Sequence, residues 1–183
     1  LHVRSRRQRQ MCIRDRIICI NDGSTDRTKQ VLTELQKEVK HLIVYHQDNQ
    51  GAAKSRNMGL SAMSDDIDAF MFLDADDQFL PGKMDQMIQY YEKNDHLDIV
   101  IGQIGRGMHG DWKVIPTHED IHREAMVSLA EAPEILQSIG PGGKLFKAKF
   151  NTLRFDEDVV FCEEHTFVTR AYLMSRDIQL VPF

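Results

Sequence analysis

From Ile17 onward, short apolar runs alternate with stretches of helical period, and this alternation narrows the possible folds more than any other feature of the chain. IICI (17–20), LIVYH (42–46), AFMFL (69–73) and LDIVIG (97–102) each read as a strand. Between them lie helix-like segments. The first is capped by Ser24 or Thr25 and carries Val31, Leu35 and Val39 at i, i+4 and i+8. The second is opened by Gly51 and runs to about Met63, and the third runs from Pro81 to about Glu92. This order predicts an α/β domain on a mostly parallel sheet, with the four strands side by side and Asp22 and Asp74 at the same edge.

Beyond Gly102 the pattern loosens. A glycine-rich stretch to Pro116 predicts a loop or irregular hairpin, and a helix is expected from Ala125 to Ile139, kinked or divided at Pro133. PGGK (141–144) reads as a turn. A helix from Glu163 to Met174 and a short strand IQLVP (178–182) complete the reading.

Charge is unevenly spread. The chain carries 23 Lys and Arg against 28 Asp and Glu, net −5, yet residues 1–16 hold six Arg and one Asp. The rest is left with 17 basic and 27 acidic groups, which argues against a nucleic-acid-binding body, because phosphate contact needs a basic face. The basic start has no helical period and no cleavage site. Its RRQRQMCIRDR portion resembles translated adapter read-through, so residues 1–16 are expected to be a non-native or disordered segment ahead of a partial domain at 17–183. Cys12, Cys19 and Cys162 are widely spaced, with no CxxC pair, and suit a reducing compartment. No run approaches the roughly 20 apolar residues of a membrane-spanning helix.

Three clusters carry chemistry. LDADD (73–77) follows an apolar strand directly, which gathers Asp74, Asp76 and Asp77 where ligands bind in open α/β sheets. Crowded carboxylates repel one another, and a hard cation with oxygen ligands relieves the repulsion; a solvated acidic turn is the other reading. INDGSTDRT (20–28) puts Asp22 at a strand end with Gly23 after it, suited to a nucleobase or ribose or simply to a sharp turn. NQGAAKSRNMGL (49–60) joins a glycine-led helix start to Lys54 and Arg56, a setting for an anionic phosphate. A fourth motif competes with these. HEDIH (118–122) has the HExxH spacing of a zinc metalloprotease, although Pro116 lies just ahead and the longer metzincin extension fails from Ala125.

The order NDGSTD, N-x-GAAKSRN, FLDADD, followed by GGKLFKAKF (142–150), LRFDED (153–158) and CEEHTFVTRAYL (162–173), resembles the family 2 glycosyltransferases of GT-A fold over almost everything after residue 16. The late segments look most like bacterial members that build cell-surface polymers such as teichoic acids and capsules. The resemblance implies a mainly parallel twisted sheet with helices on both faces, its N-terminal strand missing. It also implies a nucleotide-diphosphate-sugar donor and Mg²⁺ or Mn²⁺ as cofactor. The acceptor is a hydroxyl of a glycan, a polyol-phosphate polymer or a lipid-linked molecule.

Residue by residue, the resemblance implies that Asp22 and Gly23 meet the base, Lys54 and Arg56 hold the nucleotide, and Asp74 and Asp76 serve ribose and metal, with Asp76 the direct ligand. The family's late acidic pair is Glu-Asp, its Asp the catalytic base. Here the pair is Glu163-Glu164, so Glu164 takes the base position with one extra methylene. His165 beside it is expected to line the acceptor site or meet solvent. The expected setting is the cytoplasm, at the inner face of the membrane, with peripheral association of the full-length protein. A catalytically incomplete nucleotide-sugar-binding fragment is the alternative, and a HAD-type phosphatase is disfavoured because Asp77 stands where its motif needs threonine or valine.

Overall fold

The structure, a computed structural model, describes residues 16–108, 111–159 and 161–182. The basic segment, apart from Arg16, lies outside the described residues. The chain forms two compact units, one up to Met63 and one from Ser64.

In the first unit β1 (Ile17–Asp22) and β2 (Leu42–Gln47) pair in parallel, Ile17 opposite Leu42 and Asp22 opposite Gln47. Helix α1 (Thr28–Glu38) connects them and lies on β2, while α2 (Ala52–Ser61) lies on β1. Ala53, Asn57 and Leu60, at i, i+4 and i+7, bury one face of α2. Helix α1 behaves otherwise: it contains no buried residue, and the apolar stripe expected to face a core leaves Val31, Leu35 and Val39 exposed. A two-stranded sheet offers too little surface to cover two helices.

The second unit is built on a five-stranded sheet of order β3-β8-β4-β9-β7. Its strands are β3 (Ala69–Met71), β4 (Ile99–Gly102), β7 (Ala125–Val127), β8 (Lys144–Lys147) and β9 (Ile178–Val181). Strands β5 (Gly105–Met108) and β6 (Asp111–Val114) pair antiparallel in the stretch read as a loop or irregular hairpin, the second of those two readings. The expectation of one mainly parallel sheet needs correction. β1 and β2 make a sheet of their own, and in the larger sheet the β4–β9 pairing alone is parallel. The cause is β8, which inserts between β3 and β4 and is antiparallel to both. The helix expected at 125–139 is also replaced. Ala125–Val127 joins β9 as an antiparallel edge strand, and the Glu131 carboxylate then accepts from both the N–H and the hydroxyl of Ser128, closing a turn before the 3₁₀ segment Pro133–Gln137.

Helices cover both faces of this sheet. Met87 of α3 (Lys83–Lys93) packs with Leu97, Val100, Leu145 and Val181. Gly82, left-handed at φ 75°, precedes α3, so Pro81 stands two residues ahead of the helix rather than opening it. On the other face α4 (Glu164–Met174) buries Phe167, Val168, Ala171 and Tyr172. There Phe167 stacks on Phe155 at 4.4 Å and meets Phe146 of β8 edge-on at 5.6 Å. A third tie holds the sheet's far end: buried Asp98 pairs with Lys149 at 2.6 Å and accepts from the Arg176 backbone N–H at 2.8 Å. Cys19 and Cys162 are free thiols, and among the described residues no helix is long and apolar enough to cross a membrane.

Removing the Phe167 ring takes away the centre of the aromatic cluster. Phe167→Ala should lower unfolding free energy by about 3–5 kcal/mol in urea titrations, as for other buried Phe truncations. Phe161→Ala, at a side chain 84% exposed, should stay within about 0.5 kcal/mol of the parent. Equal losses in the two variants would contradict the assigned core.

Candidate functional site

Asp22 ends β1, and parallel pairing sets it opposite Gln47. One carboxylate oxygen accepts from Gln47 Nε2 at 2.7 Å and from the Gln50 N–H at 2.8 Å, and the other accepts from the Gly51 N–H at 2.8 Å. Partial burial pushes this carboxyl up, but the bonds from Gln47, Gln50, Gly51 and Ser55 outweigh it and hold Asp22 below the usual carboxylate range. Gly23 has φ +72°, and a Cβ there would stand 2.6 Å from the Asn49 nitrogen, so only glycine lets the 49–51 segment come this close. Asn21 steadies the other side, accepting from the Ser24 N–H and bonding His46 Nδ1 at 3.1 Å. The NDG and NQG motifs therefore form one cradle around the Asp22 carboxylate. Lys54 is exposed and Arg56 half-buried on the helix that leaves this cradle. Gln47 and the amides of Gln50 and Gly51 are partners that the sequence reading did not identify.

The other predicted residues belong to the second unit. Strand β3 ends at Met71, and Phe72 enters the aromatic cluster, edge-on to Phe155 at 5.3 Å and to Phe167 at 5.6 Å. The chain then turns through 74–77, the Asp77 N–H donating to the Asp74 carbonyl at 3.1 Å, with Asp74, Asp76 and Asp77 all exposed. Burial, then Asp76, then Asp74 raise the Asp77 carboxyl above its ordinary value. Among the described residues no three His, Cys, Asp or Glu side chains close around a metal position. The donor set is nevertheless all oxygen and partly open, which fits a hard cation that takes one or two carboxylates here and its remaining ligands from phosphate and water.

The acidic pair opens α4. Cys162, at φ 59°, adopts the left-handed conformation rare for a residue with a Cβ, and the turn it makes delivers Glu163 and Glu164 to the helix start. The Cys162 thiol is raised by burial and by Glu164 and Glu163. The His165 N–H donates to the Cys162 carbonyl at 3.1 Å, while buried His165 Nε2 has no hydrogen-bond partner among the described residues. One turn later Phe167 packs against Phe72. The DADD turn and the acidic pair are thus mounted on one aromatic cluster, a link that neither motif signals by itself.

The HExxH reading is overturned. His118 closes a 3₁₀ segment, Pro116–His118, and is 1% exposed, its Nε2 2.7 Å from Ser138 Oγ and its Nδ1 3.2 Å from the Gly102 carbonyl. Burial, then Lys144, depress it to about 4. His122 is exposed, and the stretch joining the two is not an α-helix, so the i, i+4 geometry that zinc requires is absent.

The chain is 38% identical over 170 residues to a Staphylococcus aureus (strain N315) protein named as glycosyltransferase TagX, covering 91% of this chain and 48% of that protein. A Haemophilus influenzae glycosyltransferase is 33% identical over 168 residues, covering 82% and 49%. The chain thus spans about half the length of the curated relatives it matches. Among solved structures, S. aureus TarS 1–349 superposes with a TM-score of 0.76 at 22% identity over 91% of this chain and 48% of that one, a likeness of fold. The mixed sheet with helices on both faces is accordingly a GT-A arrangement. The Glycosyl transferase family 2 model matches residues 5–164, which include the Asp22 cradle, the DADD turn and both glutamates, and the chain belongs to that family.

Proposed function

We propose that this chain is part of an enzyme that transfers a sugar from a nucleoside-diphosphate sugar to a hydroxyl acceptor in cell-surface glycan synthesis, with inversion at the anomeric carbon. The observation that carries the reading is the shared mount: Phe72 and Phe167, in edge contact at 5.6 Å, fix the DADD turn and the Glu163–Glu164 pair in one unit. A TarS structure is in complex with UDP, which supports a nucleoside diphosphate as the leaving group. The TagX likeness supports a cell-wall glycan setting, and work at the cytoplasmic face of the membrane is part of the same proposal.

The chemistry follows from the charges. An acceptor hydroxyl is far too weak an acid to ionise at neutral pH. Glu164 takes its proton as the oxygen bonds to the anomeric carbon, while the bond from that carbon to the diphosphate breaks on the opposite face. A bound Mg²⁺ or Mn²⁺ would neutralise charge on the departing diphosphate. Asp76 and Asp74 would hold it. Asp22 would contact base or ribose, and Lys54 and Arg56 would supply positive charge towards phosphate.

Calorimetry with UDP-sugars and Mn²⁺, beside initial rates with polyol-phosphate and lipid-linked acceptors, tests the roles separately. Asp76→Asn should weaken Mn²⁺-dependent donor binding by roughly tenfold or more, about 1.4 kcal/mol, and chelation of the metal should do the same to the parent. Glu164→Gln should leave donor binding within about twofold and cut turnover by about 10²- to 10⁴-fold, the usual contribution of a general base. If Glu163→Gln loses activity while Glu164→Gln keeps it, the base sits one residue earlier. Donor binding without turnover in the parent would instead identify a nucleotide-sugar-binding module.

A further inference from the structure

Lys144, the first residue of β8, is fully buried, and its three partners among the described residues are all neutral. Its ammonium donates to Ser138 Oγ at 2.7 Å, to the Gly140 carbonyl at 2.5 Å and to the Gly142 carbonyl at 3.4 Å. Burying a cation without an anion is costly, and a hydrophobic residue would fill the same space more cheaply. Ser138 is the hub. Its hydroxyl also meets His118 Nε2 at 2.7 Å, and its carbonyl accepts from Tyr172 of α4 at 2.8 Å. At the end of the chain of bonds, His118 Nδ1 lies 3.2 Å from two groups of opposite character, the Gly102 carbonyl and the Ile104 N–H.

The Ser138 hydroxyl has one proton, so only two arrangements satisfy every member. With Lys144 charged, it donates to Ser138, Ser138 donates to His118 Nε2, and His118 donates from Nδ1 to the Gly102 carbonyl. With Lys144 neutral the order reverses: the Ile104 N–H donates to Nδ1, His118 donates from Nε2 to Ser138, and Ser138 donates to the amine lone pair. Both terminal partners are present, so the triad closes in either order; the Ile104 N–H gives up its bond to Nδ1 in the first, and the Gly102 carbonyl gives up its bond from Nδ1 in the second. We infer that Lys144, Ser138 and His118 form a buried relay with two proton orders, which makes Lys144 a positioning residue for the turn 138–143 and, through Tyr172, for α4 and its acidic pair.

The placement supports this role. Lys144 stands opposite Ile101, beside the carboxyl end of β4, and Met71 stands opposite Leu145, so β3 leaves the sheet towards the DADD turn at the same end. Burial pushes the Lys144 ammonium down to about 7, and His118 sits at about 4. Between those values and above them His118 stays neutral and only its tautomer is free to change. Tyr172, the other titratable group at Ser138, is raised by burial and keeps its proton.

The relay is read directly by ¹⁵N NMR of the His118 ring from about pH 5.5 to 9, a range that brackets the ordinary histidine value and the depressed lysine. The expected result is a change from Nδ1–H to Nε2–H as pH rises, with no imidazolium signal. Lys144→Met should hold His118 as Nδ1–H throughout, because Ser138 then has no other acceptor. If that variant does not fold, Ser138→Ala serves instead: it should abolish the pH response while Lys144 is retained. One tautomer at all pH values in the parent, or a switch that persists in either variant, would overturn the relay. The positioning role rests on the proposed transferase reading and predicts that Lys144→Met lowers kcat by about 10- to 100-fold, as small misplacements do, with donor KM unchanged. An unchanged kcat would sink that role, whereas a parent without transferase activity would sink the functional reading and leave the tautomer measurement standing.

Discussion

Phe72 is the side chain on which the second unit's chemistry depends. It follows β3 directly and precedes Asp74 by two residues, and its ring is held edge-on by Phe155, Phe167 and Phe146. The exit direction of the DADD turn is therefore set by apolar packing rather than by the carboxylates, whose mutual repulsion would otherwise spread the turn. Phe167 acts in the same way for the acidic pair, three residues beyond Glu164 and in the next turn of α4. Aromatic pairs at these separations add about 0.5–1.5 kcal/mol each beyond the area they bury, enough to fix a turn that carries like charges.

The first unit solves the opposite problem. Its candidate ligand contact, Asp22, is steadied by the chain's own donors: the β1–β2 register supplies Gln47, and the bonds from Gln50 and Gly51 exist only because Gly23 lets the 49–51 segment approach. A carboxylate already oriented by three donors meets a ligand without first losing its own freedom, which lowers the cost of binding. The price of this arrangement is a thin unit: α1 has no buried residue, and its stability rests on local bonds more than on a core.

Much of this organisation was legible in the sequence, for specific reasons. The strands β1, β2, β4 and β9 were readable because each is a short apolar or β-branched run bounded by turn residues. The ends of α4 were readable because an acidic start and a regular apolar face coincide. β8 was not. KLFK has lysines at both ends and reads as polar, yet Lys144 is buried because its ammonium finds Ser138 and two carbonyls, partners that only the folded turn supplies. Missing that strand also hid the mixed character of the sheet. The segment 125–139 failed for a related reason: its apolar residues satisfy a helical period, but a Ser128–Glu131 side-chain turn and an open edge of β9 compete for the backbone and win.

HEDIH shows where local spacing stops being informative. Two histidines four residues apart imply a metal site only if the backbone between them is helical, and here Pro116 opens a 3₁₀ segment that ends on His118 itself. The first histidine turns inward to Ser138 and the second outward to solvent. The residue that resembled a zinc ligand is instead the far end of the lysine network, and the glycine turn that looked like a simple break between elements is the acceptor of that lysine's charge. In both places the controlling fact is the fate of a buried donor or acceptor, a quantity set by residues distant in sequence and settled only when β4, β8 and α4 come together.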